Sequence, residues 1–339
     1  MYRFISAPTR ECLSCHAATV VETADGRLLA AWFGGTYEGH PDVAIWTSTF
    51  DHGEWSPPVK LIDERDVPLW NPVLFRDADG VVWLFYKVGP TIPAWTGAFV
   101  RSSDGGRSWS HPKLLPAGLL GPSKNKPIVA SNGEIVSGTS AESWRSWTCW
   151  VEVSSDGGRS WARYGPITAP GWNPSETGPG GPVSAAWADD DQQLILPQQY
   201  AGVIQPTVWE YARGRLRMLM RTTQHVGFVC VTDSDDFGRT WSEARMLEVE
   251  CPNSGLDAVR LRDGRIALVC NPSATDRTPL SLLISADNGE TWRTQSVLES
   301  GAGEFSYPSI IESRDGTIHT VYTYNRTHIR HAMIDRSDL

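Results

Sequence analysis

Polar residues recur in this chain at one place relative to a series of short, glycine-containing turns. Each lies roughly nine residues before its turn, at the start of a segment that reads as a β-strand, and proline follows directly in four of the six cases. Equivalent positions of repeated units converge when the repeats close into a ring. We therefore expect six side chains to surround one pocket: His16, Asn71, Lys126 (or its neighbour Asn125), Gln205, Asn253 and Tyr307.

A second set of polar side chains follows the same turns by seven to nine residues. It comprises Lys87, Glu142, Arg221, Asn271 and Tyr324. Together the two sets hold more cationic than acidic groups, although the formal net charge of the chain is −9. A positive pocket in an acidic protein predicts a small anionic ligand, whereas the overall charge argues against a nucleic-acid partner.

Six hairpin turns separate the strands that must position these side chains. They stand between alternating or apolar segments, as glycine-containing two-residue turns do in β-hairpins. The turns are Asp25-Gly26, Asp79-Gly80, Asn132-Gly133, Arg213-Gly214, Asp263-Gly264 and Asp315-Gly316.

A second repeated pattern is Ser-x-Asp-x-Gly-x-x-Trp. Its aspartate and serine can bond to their own backbone, its glycine supplies a positive φ, and its tryptophan packs the turn onto a sheet. Counted from a shortened copy at Thr49-Asp51-Gly53-Trp55, three of the four gaps between successive aspartates are 51 to 53 residues. The complete copies begin at Ser102, Ser154, Ser234 and Ser285.

Each repeat therefore reads strand, hairpin, strand, strand, Asp turn and strand. This order predicts an all-β fold, a six-bladed β-propeller of four-stranded antiparallel blades that forms a single domain over residues 1–339. The sixth unit has room for only three strands after Tyr307, so we expect the N-terminal segment from Tyr2 to Ala7 to add the fourth and close the ring. About 27 extra residues predict an insertion at about 165–200, between blades three and four.

Other features of the sequence exclude several classes of protein. No apolar run approaches a membrane span and MYRFISAPTREC lacks the apolar core of a signal peptide, so we expect a cytoplasmic protein without a membrane partner. The six cysteines are irregularly spaced and predict free thiols. Cys12-x-x-Cys15-His16 fits a haem-attachment pattern, but the segment leads straight into a strand. With no metal-ligand or phosphate-loop motif, we expect no metal and no cofactor.

Over nearly its whole length the chain resembles the sialidase (neuraminidase) superfamily with Asp-box repeats. Its motifs resemble those of a subgroup of predicted neuraminidases, with the signatures Trp70-Asn71-Pro72, Asn125-Lys126-Pro127 and Pro252-Asn253-Ser254-Gly255. The resemblance implies an enzyme that removes a terminal acidic sugar from a glycan. Sialidases typically hold the substrate carboxylate with three arginines and use a tyrosine nucleophile, a glutamate that activates it and an aspartate acid/base.

Residue by residue, the resemblance implies four roles. QPTVWEYARGRLRMLMR ends at Arg221, which corresponds to the second carboxylate-binding arginine, and NPSATDRTPLSLLISADNGETW carries Arg277 as the third. FSYPSII corresponds to the nucleophile stretch and points to Tyr307, whereas GGTYEGHPDVAIW occupies the acid/base region with Glu38 nearest the expected position.

Two positions depart from the superfamily pattern. The first arginine, in a Phe/Tyr-Arg-Ile-Pro motif, falls on His16, and the carboxylate that activates the tyrosine falls on Gln205. Glutamine cannot take a proton at any useful pH. An ordinary sialidase mechanism therefore lacks its base at the expected position.

Two enzymatic hypotheses follow, both with an acidic oligosaccharide or glycoconjugate as the partner. A hydrolase would use Tyr307 at the anomeric centre and Glu38 as the proton donor, with the carboxylate bound by arginines. A uronate lyase would use His16 and Tyr307 as base and acid for β-elimination. In either case the predicted pocket-lining residues are Arg221, Arg277, Gln205, Asn71, Lys126, Asn253, Lys87 and Glu142.

A third hypothesis is a non-catalytic propeller that binds carbohydrate. Most of the 16 tryptophans belong to Asp turns or blade cores. The exceptions, which could stack on sugar faces at the rim of the pocket, are Trp70, Trp95, Trp144 and Trp147.

Overall fold

The structure is a computed structural model that describes residues 1–143, 146–171 and 200–339. Its strands form six antiparallel sheets, and the first strands contact one another around a common axis in five of the six pairs of neighbouring sheets. Among the described residues, helical structure is limited to two short 3-10 turns, Ile92–Ala94 and Arg336–Asp338. The predicted six-bladed, all-β propeller is therefore confirmed.

Blades 1 to 3 run from Ser14 to Ile167, with the first strand of each next to the axis. The rim position of blade 1 is divided between two short strands that both pair with its third strand. Blade 1 consists of β2 (Ser14–Glu22), β3 (Leu28–Gly35), β4 (Ala44–Asp51), β5 (Glu54–Trp55) and β6 (Val59–Ile62). Blade 2 consists of β7 (Leu69–Arg76), β8 (Val82–Val88), β9 (Thr96–Ser102) and β10 (Lys113–Leu114). Blade 3 consists of β11 (Ile128–Val129), β12 (Ile135–Glu142), β13 (Trp147–Ser154) and β14 (Ala162–Ile167).

Blades 4 to 6 complete the ring. Blade 4 consists of β15 (Val203–Ala212), β16 (Arg215–Thr222), β17 (Phe228–Ser234) and β18 (Arg245–Glu250). Blade 5 consists of β19 (Asp257–Arg260), β20 (Ile266–Cys270), β21 (Leu280–Ser285) and β22 (Arg293–Glu299). Blade 6 consists of β23 (Phe305–Glu312), β24 (Ile318–Tyr324), β25 (His328–Ile334) and β1 (Tyr2–Phe4).

The N-terminal strand closes the ring as predicted. β1 pairs antiparallel with β25, with Arg3 opposite His331. The edge that β25 would otherwise expose is thereby covered. The predicted insertion at 165–200 lies mostly outside the described residues, and its first residues, 165–167, belong to β14.

The hydrophobic core lies between the blades. Each of the six apolar clusters among the described residues joins adjacent blades, as Leu29 and Leu84 join blades 1 and 2 and Trp32 and Val321 join blades 1 and 6. The cluster between blades 1 and 2 also includes Tyr307 of blade 6. Strands that are buried on both faces contain near-continuous apolar runs, and β3 and β8 fit this pattern. This packing holds the axial ends of the first strands close together.

The Asp turns join the third and fourth strands of blades 2 to 5. In the first complete copy the Ser102 hydroxyl donates to Asp104 at 2.7 Å and accepts from the Gly106 N–H at 2.8 Å. A further bond was not predicted: the Ser108 hydroxyl, one residue before Trp109, donates to Asp104 at 2.6 Å. The same bond is made by Ser160, Thr240 and Thr291.

The tryptophan of each Asp turn packs against the preceding blade rather than only its own sheet. Trp109 of blade 2 lies in the cluster between blades 1 and 2, and Trp241 of blade 4 lies between blades 3 and 4. The shortened copy in blade 1 is instead a two-residue hairpin that pairs Asp51 with Glu54. Its Trp55 still points toward the preceding blade, where its indole N–H donates to His331 at 3.2 Å.

Candidate active site

The axial ends of the first strands share a left-handed backbone conformation. The φ angle is +39° at Asn71, +52° at Gln205, +57° at Asn253, +52° at Tyr307 and +55° at Ala17. In β2, β7, β15 and β23 the pairing with the second strand shifts at this point. The conformation costs non-glycine residues about 1–2 kcal/mol each and is concentrated at functional sites.

The shared conformation corrects two of the expected positions. In blade 1 the equivalent residue is Ala17, so His16 lies one position earlier than its predicted counterparts. In blade 3, Lys126 turns away: its amine donates to Asp257 at 2.7 Å and it lines a cavity with Glu22, Arg76 and other residues from the far ends of the first strands. That cavity is the opposite mouth of the axis.

Tyr307 lies at the centre of the site and is buried. Its phenol oxygen accepts a 2.5 Å hydrogen bond from Arg221 and a 3.4 Å bond from the side-chain amide of Gln205. Arg221 also donates to the Gln205 side-chain oxygen at 3.0 Å and to the Asn253 side chain at 2.9 Å. Because Arg221 and Gln205 both donate to the phenol oxygen, neither of them accepts the hydroxyl proton of Tyr307.

Arg277 and Arg326 extend the cationic wall beside the tyrosine. The Arg277 guanidinium lies over the Tyr307 ring, 5.5 Å from its centroid. Both arginines donate to the same oxygen of Glu304, at 2.9 Å from Arg277 and 2.8 Å from Arg326. Burial alone would raise the pKa of Glu304, but the charges of Arg326 and Arg277, together with hydrogen bonds from Ser306 and Arg277, lower it overall.

His16 packs its ring against Tyr307, with the centroids 4.1 Å apart. The side chain is 1% exposed, and neither ring nitrogen has a hydrogen-bond partner within the described part of the chain. Burial lowers its pKa well below the usual value, and the charges of Arg326, Arg277 and Arg221 lower it further. His16 is therefore a neutral imidazole with free lone-pair capacity beside the tyrosine.

Lys124 closes the axis beneath the tyrosine, a place that the sequence had suggested for Lys126 or Asn125. Its amine donates to the backbone oxygens of Leu256, at 3.1 Å, and of Pro308. Burial lowers its pKa to about 7, with smaller contributions from Lys126 and Arg221. These bonds link blades 3, 5 and 6 and support the strand that carries Tyr307.

Two predicted pocket residues are withdrawn from the ligand side of the site. Lys87 is fully buried and its amine donates to the Pro122 carbonyl at 2.8 Å. Glu142 is also buried, accepts from the Ser140 hydroxyl at 2.9 Å, and has a raised pKa because of burial. Neither side chain is free for a ligand in the way that the sequence suggested.

The predicted aromatic rim is only partly present. Trp70 is buried, donates to the Gly89 carbonyl at 2.8 Å and packs against Trp95. Trp147 is half-buried and packs edge-on against Tyr200. Trp144 lies outside the described residues.

Asn71, Asn271 and Glu38 reach different parts of the site. Asn71 is buried and its side chain forms no hydrogen bond among the described residues, whereas Asn271 bonds to backbone oxygens of Pro279 and Phe305. Glu38 lies on the loop after β3, where it forms an ion pair with Arg326.

Sequence reasoning missed Arg326 and Glu304. Arg326 lies in the hairpin between β24 and β25, and this hairpin contains two left-handed residues, Asn325 and Arg326, but no glycine. This hairpin is therefore not one of the glycine-containing turns that the sequence marks. Glu304 immediately precedes β23, and its place at the start of a first strand was the available signal.

The described residues contain no group of three His, Cys, Asp or Glu side chains placed to hold a metal ion. In the same part of the chain, no helix is long and apolar enough to cross a membrane. The six cysteines are buried and unpaired as disulfides. Cavities of about 570 and 680 Å³ lie on the rim between blades, and none of the axial residues lines them.

Comparisons with known proteins agree with this architecture. The family described as "BNR repeat-like domain" matches residues 26–320, and no curated protein matches the sequence. A protein of unknown function from Dyadobacter fermentans is similar in structure, with a TM-score of 0.75, 16% identity and 98% of both chains covered.

Two similar structures are named as enzymes of sialic-acid chemistry. The NanB sialidase from Streptococcus pneumoniae has a TM-score of 0.75 and 14% identity, over 99% of this chain and 70% of that one. The intramolecular trans-sialidase from Ruminococcus gnavus has a TM-score of 0.69 and 12% identity, over 99% of this chain and 97% of that one. At these identities the likeness shows the sialidase-type fold alone.

Proposed function

The chain belongs to the BNR repeat-like domain family and has a sialidase-type fold, and on that basis we propose that it is a glycoside hydrolase that removes a terminal acidic sugar from a glycan. The observation that carries the proposal is the convergence of Arg221, Arg277 and Arg326 on the surroundings of Tyr307. Charge-assisted hydrogen bonds to a carboxylate contribute roughly 1.5–3 kcal/mol each in such sites. The acidic sugar would be of the sialic, ulosonic or uronic acid type.

In the proposed reaction the Tyr307 oxygen attacks the anomeric carbon of the sugar. Its proton passes to His16, the neutral imidazole beside it, while Arg221 stabilises negative charge on the phenol oxygen. The glycosidic bond breaks as its oxygen takes a proton from Glu38. Water then attacks the anomeric carbon and gives a proton to Glu38, while the tyrosyl–sugar bond breaks and the Tyr307 oxygen regains the proton held by His16. Tyrosine is suited to this attack because, unlike a carboxylate, it does not repel the charge of the sugar.

A uronate lyase is the second candidate, and His16 and Tyr307 specifically favour it. No carboxylate contacts the Tyr307 hydroxyl among the described residues, whereas an unpartnered neutral imidazole lies beside it. His16 would take the proton from C5, the electron pair would form the C4=C5 bond, and Tyr307 would protonate the leaving oxygen as the C4–O bond breaks. Gln205 needs no proton in this scheme, because it and Arg221 would only hold the uronate.

One product assay tests both candidates. Sialyl, ulosonyl and uronyl glycans are incubated with the protein, and products are followed by new reducing ends and by ultraviolet absorbance. A hydrolase gives a new reducing end without absorbance, whereas a lyase product absorbs through its new double bond. Absence of turnover with binding to the same glycans would favour the non-catalytic alternative.

Variants of the same strand give the matched control. Arg221→Lys keeps a positive charge but loses the planar contacts to Gln205, Asn253 and Tyr307, and it is expected to lose most activity. Arg215→Lys changes an exposed arginine at the other end of β16 and should leave activity unchanged. Full activity of Arg221→Lys on an acidic glycan would contradict the proposal.

A further inference from the structure

Arg326 is held in the site by a backbone hydrogen bond from the neighbouring blade as well as by its own hairpin. Its carbonyl accepts a 2.8 Å hydrogen bond from the Cys15 N–H, directly before His16. The hairpin of blade 6 is thereby joined to the start of blade 1. This bond places the arginine beside His16, the position at which the superfamily pattern has an arginine and this chain does not.

The two arginines beside Glu304 carry more positive charge than its single carboxylate can balance. One oxygen of Glu304 accepts from both Arg277 and Arg326, so a single carboxylate serves two guanidinium groups. The remaining positive charge is met by Glu38, which contacts only one terminal nitrogen of Arg326. The second terminal nitrogen of Arg326 makes no hydrogen bond among the described residues.

Glu38 is the more exposed partner of this pair. The side chains of Glu38 and Arg326 are 36% and 32% exposed, so the pair is open to solvent on one side. The loop that carries Glu38 is closed at its base, where the Thr36 N–H and hydroxyl donate to Asp42 at 3.0 and 2.6 Å. Glu38 can therefore leave the arginine without the loop opening.

We infer that the Arg326 side chain binds the substrate carboxylate, and that Glu38 stays paired with Arg326 until the substrate displaces it. The inference rests on the proposed function and deepens it, because it names a specificity-determining residue and an internal competitor. Arg326 offers a free N–H donor beside the one bonded to Glu38, which is the arrangement that a bidentate carboxylate requires. Displacement would also release the Glu38 side chain from its ion pair with Arg326.

The two residues should have opposite effects on binding. The apparent affinity of a ligand falls with the fraction of protein whose site is occupied by an internal competitor. Glu38→Gln removes the competing charge, so it should tighten the binding of an acidic sugar severalfold. Arg326→Gln should weaken the same binding at least tenfold and leave the binding of an uncharged sugar unchanged.

Calorimetric titration with four sugars tests the inference without turnover. The probes are N-acetylneuraminic acid and glucuronic acid, with N-acetylmannosamine and glucose as uncharged counterparts. Glu290→Gln is the matched control, since Glu290 is a similarly exposed glutamate (43%) that pairs with two arginines, Arg217 and Arg245, away from the axial site. It should bind every probe as the unchanged protein does.

Three results would overturn the inference. Weaker binding in Glu38→Gln would mean that Glu38 orients Arg326 rather than competing with the ligand. Unchanged binding in Arg326→Gln, checked with Arg326→Lys if the first variant folds poorly, would remove the arginine from recognition. Binding of the acids no tighter than their uncharged counterparts, in both the unchanged protein and Glu38→Gln, would remove the anion site. Failure of the proposed function gives a different result, because turnover would then be absent while these differences in binding remained.

Discussion

The Asp turns on the rim and the axial ends of the first strands are both repeated around the ring, but in different ways. In the turns the side chains repeat: a hydroxyl bonds to the aspartate in the same way in four blades. At the axis the backbone repeats, with positive φ in five blades, while the side chains are alanine, asparagine, glutamine, asparagine and tyrosine. In the Asp turns, repeated side-chain bonds fix the backbone conformation. At the axis, a repeated backbone conformation positions different side chains.

This difference separates stability from function. An Asp turn is complete within eight residues and packs on the preceding blade, so it contributes to folding wherever it occurs. The axial contacts instead join residues far apart in sequence, such as Arg221 and Tyr307, which are 86 positions apart. Changes to the axial side chains around Tyr307 should therefore alter chemistry, and changes in the rim turns should leave chemistry intact and affect only stability.

The largest expected effect is at Tyr307. Tyr307→Phe keeps the ring and its packing against His16 but removes the oxygen that Arg221 contacts, so turnover of the acidic glycan should fall about 10²–10⁴-fold. Tyr211→Phe, a partly buried tyrosine in the cluster between blades 4 and 5, is the control. Initial rates at saturating substrate measure the effect. Equal losses in the two variants would show that the axial position has no special chemical role.

The contact between blades 1 and 6 contains no complete Asp turn. We expect its stability to fall in acid, over a pH range that two buried histidines set. His319 and His331 lie 3.0 Å apart there, and burial lowers their pKa values to about 4 and about 3. The neutral pair stabilises the fold above the ordinary histidine pKa of about 6.5, and this stability is lost as the pH falls from there toward 3. Each group contributes a slope of up to roughly 1.4 kcal/mol per pH unit.

Urea unfolding between pH 7 and pH 4 measures this loss, and NMR assigns it to the pair. The imidazole signals of His319 and His331 should stay in the neutral form well below pH 6, with the exposed His52 as an internal reference. Protonation of the pair at the same pH as free histidine would contradict the burial argument. The histidine pair would then give the contact between blades 1 and 6 no acid sensitivity of its own.

Much of the fold was predictable from sequence, because its signals are local. The Asp turns and the glycine hairpins carry their partners within a few residues, so one copy explains the others. Gln205 and Tyr307 were predicted in the first set of polar side chains around the pocket and Arg221 in the second, since all three occupy repeated strand positions. The structure brings those three into direct hydrogen-bond contact.

The errors arose where the repeats are irregular. A one-residue offset puts Ala17 rather than His16 at the left-handed position, and no local pattern marks that offset. Lys126 (or Asn125) was predicted at the pocket because it lies at the repeated position before its glycine turn. Its amine instead pairs with the buried Asp257, and Lys124 lies near Tyr307. Arg326 was missed because its hairpin has no glycine. Each of these depends on contacts between blades, which sequence spacing does not encode.

The backbone at the axis can be tested without touching the chemistry of the tyrosine. Asn71 has a φ of +39°, which asparagine and glycine accept far better than a β-branched residue. Asn71→Val should lower the free energy of unfolding by about 1–3 kcal/mol, whereas Asn71→Gly should stay within about 1 kcal/mol. Urea unfolding compares the two. Equal stabilities would mean that the left-handed conformation is not required by the fold.

The smallest effect is expected in a single Asp turn. The Ser160 hydroxyl donates to Asp156 at 2.6 Å and, with the backbone N–H groups, holds the pKa of that carboxyl at about 2. A lowered pKa stabilises the fold above the ordinary aspartate pKa of about 3.9, and this stability is lost as the pH falls from there toward 2. Asp156→Asn should lower the Tm at pH 7 by a few degrees and make unfolding less dependent on pH below 4, with activity unchanged. Calorimetry at pH 7 and pH 3, with Asp51→Asn in the rim hairpin of blade 1 as the control, measures both. If the two variants lose equal stability at pH 7, the bonds of the complete Asp turn add nothing beyond an ordinary hairpin, and the contrast between rim and axis is weaker than the geometry indicates.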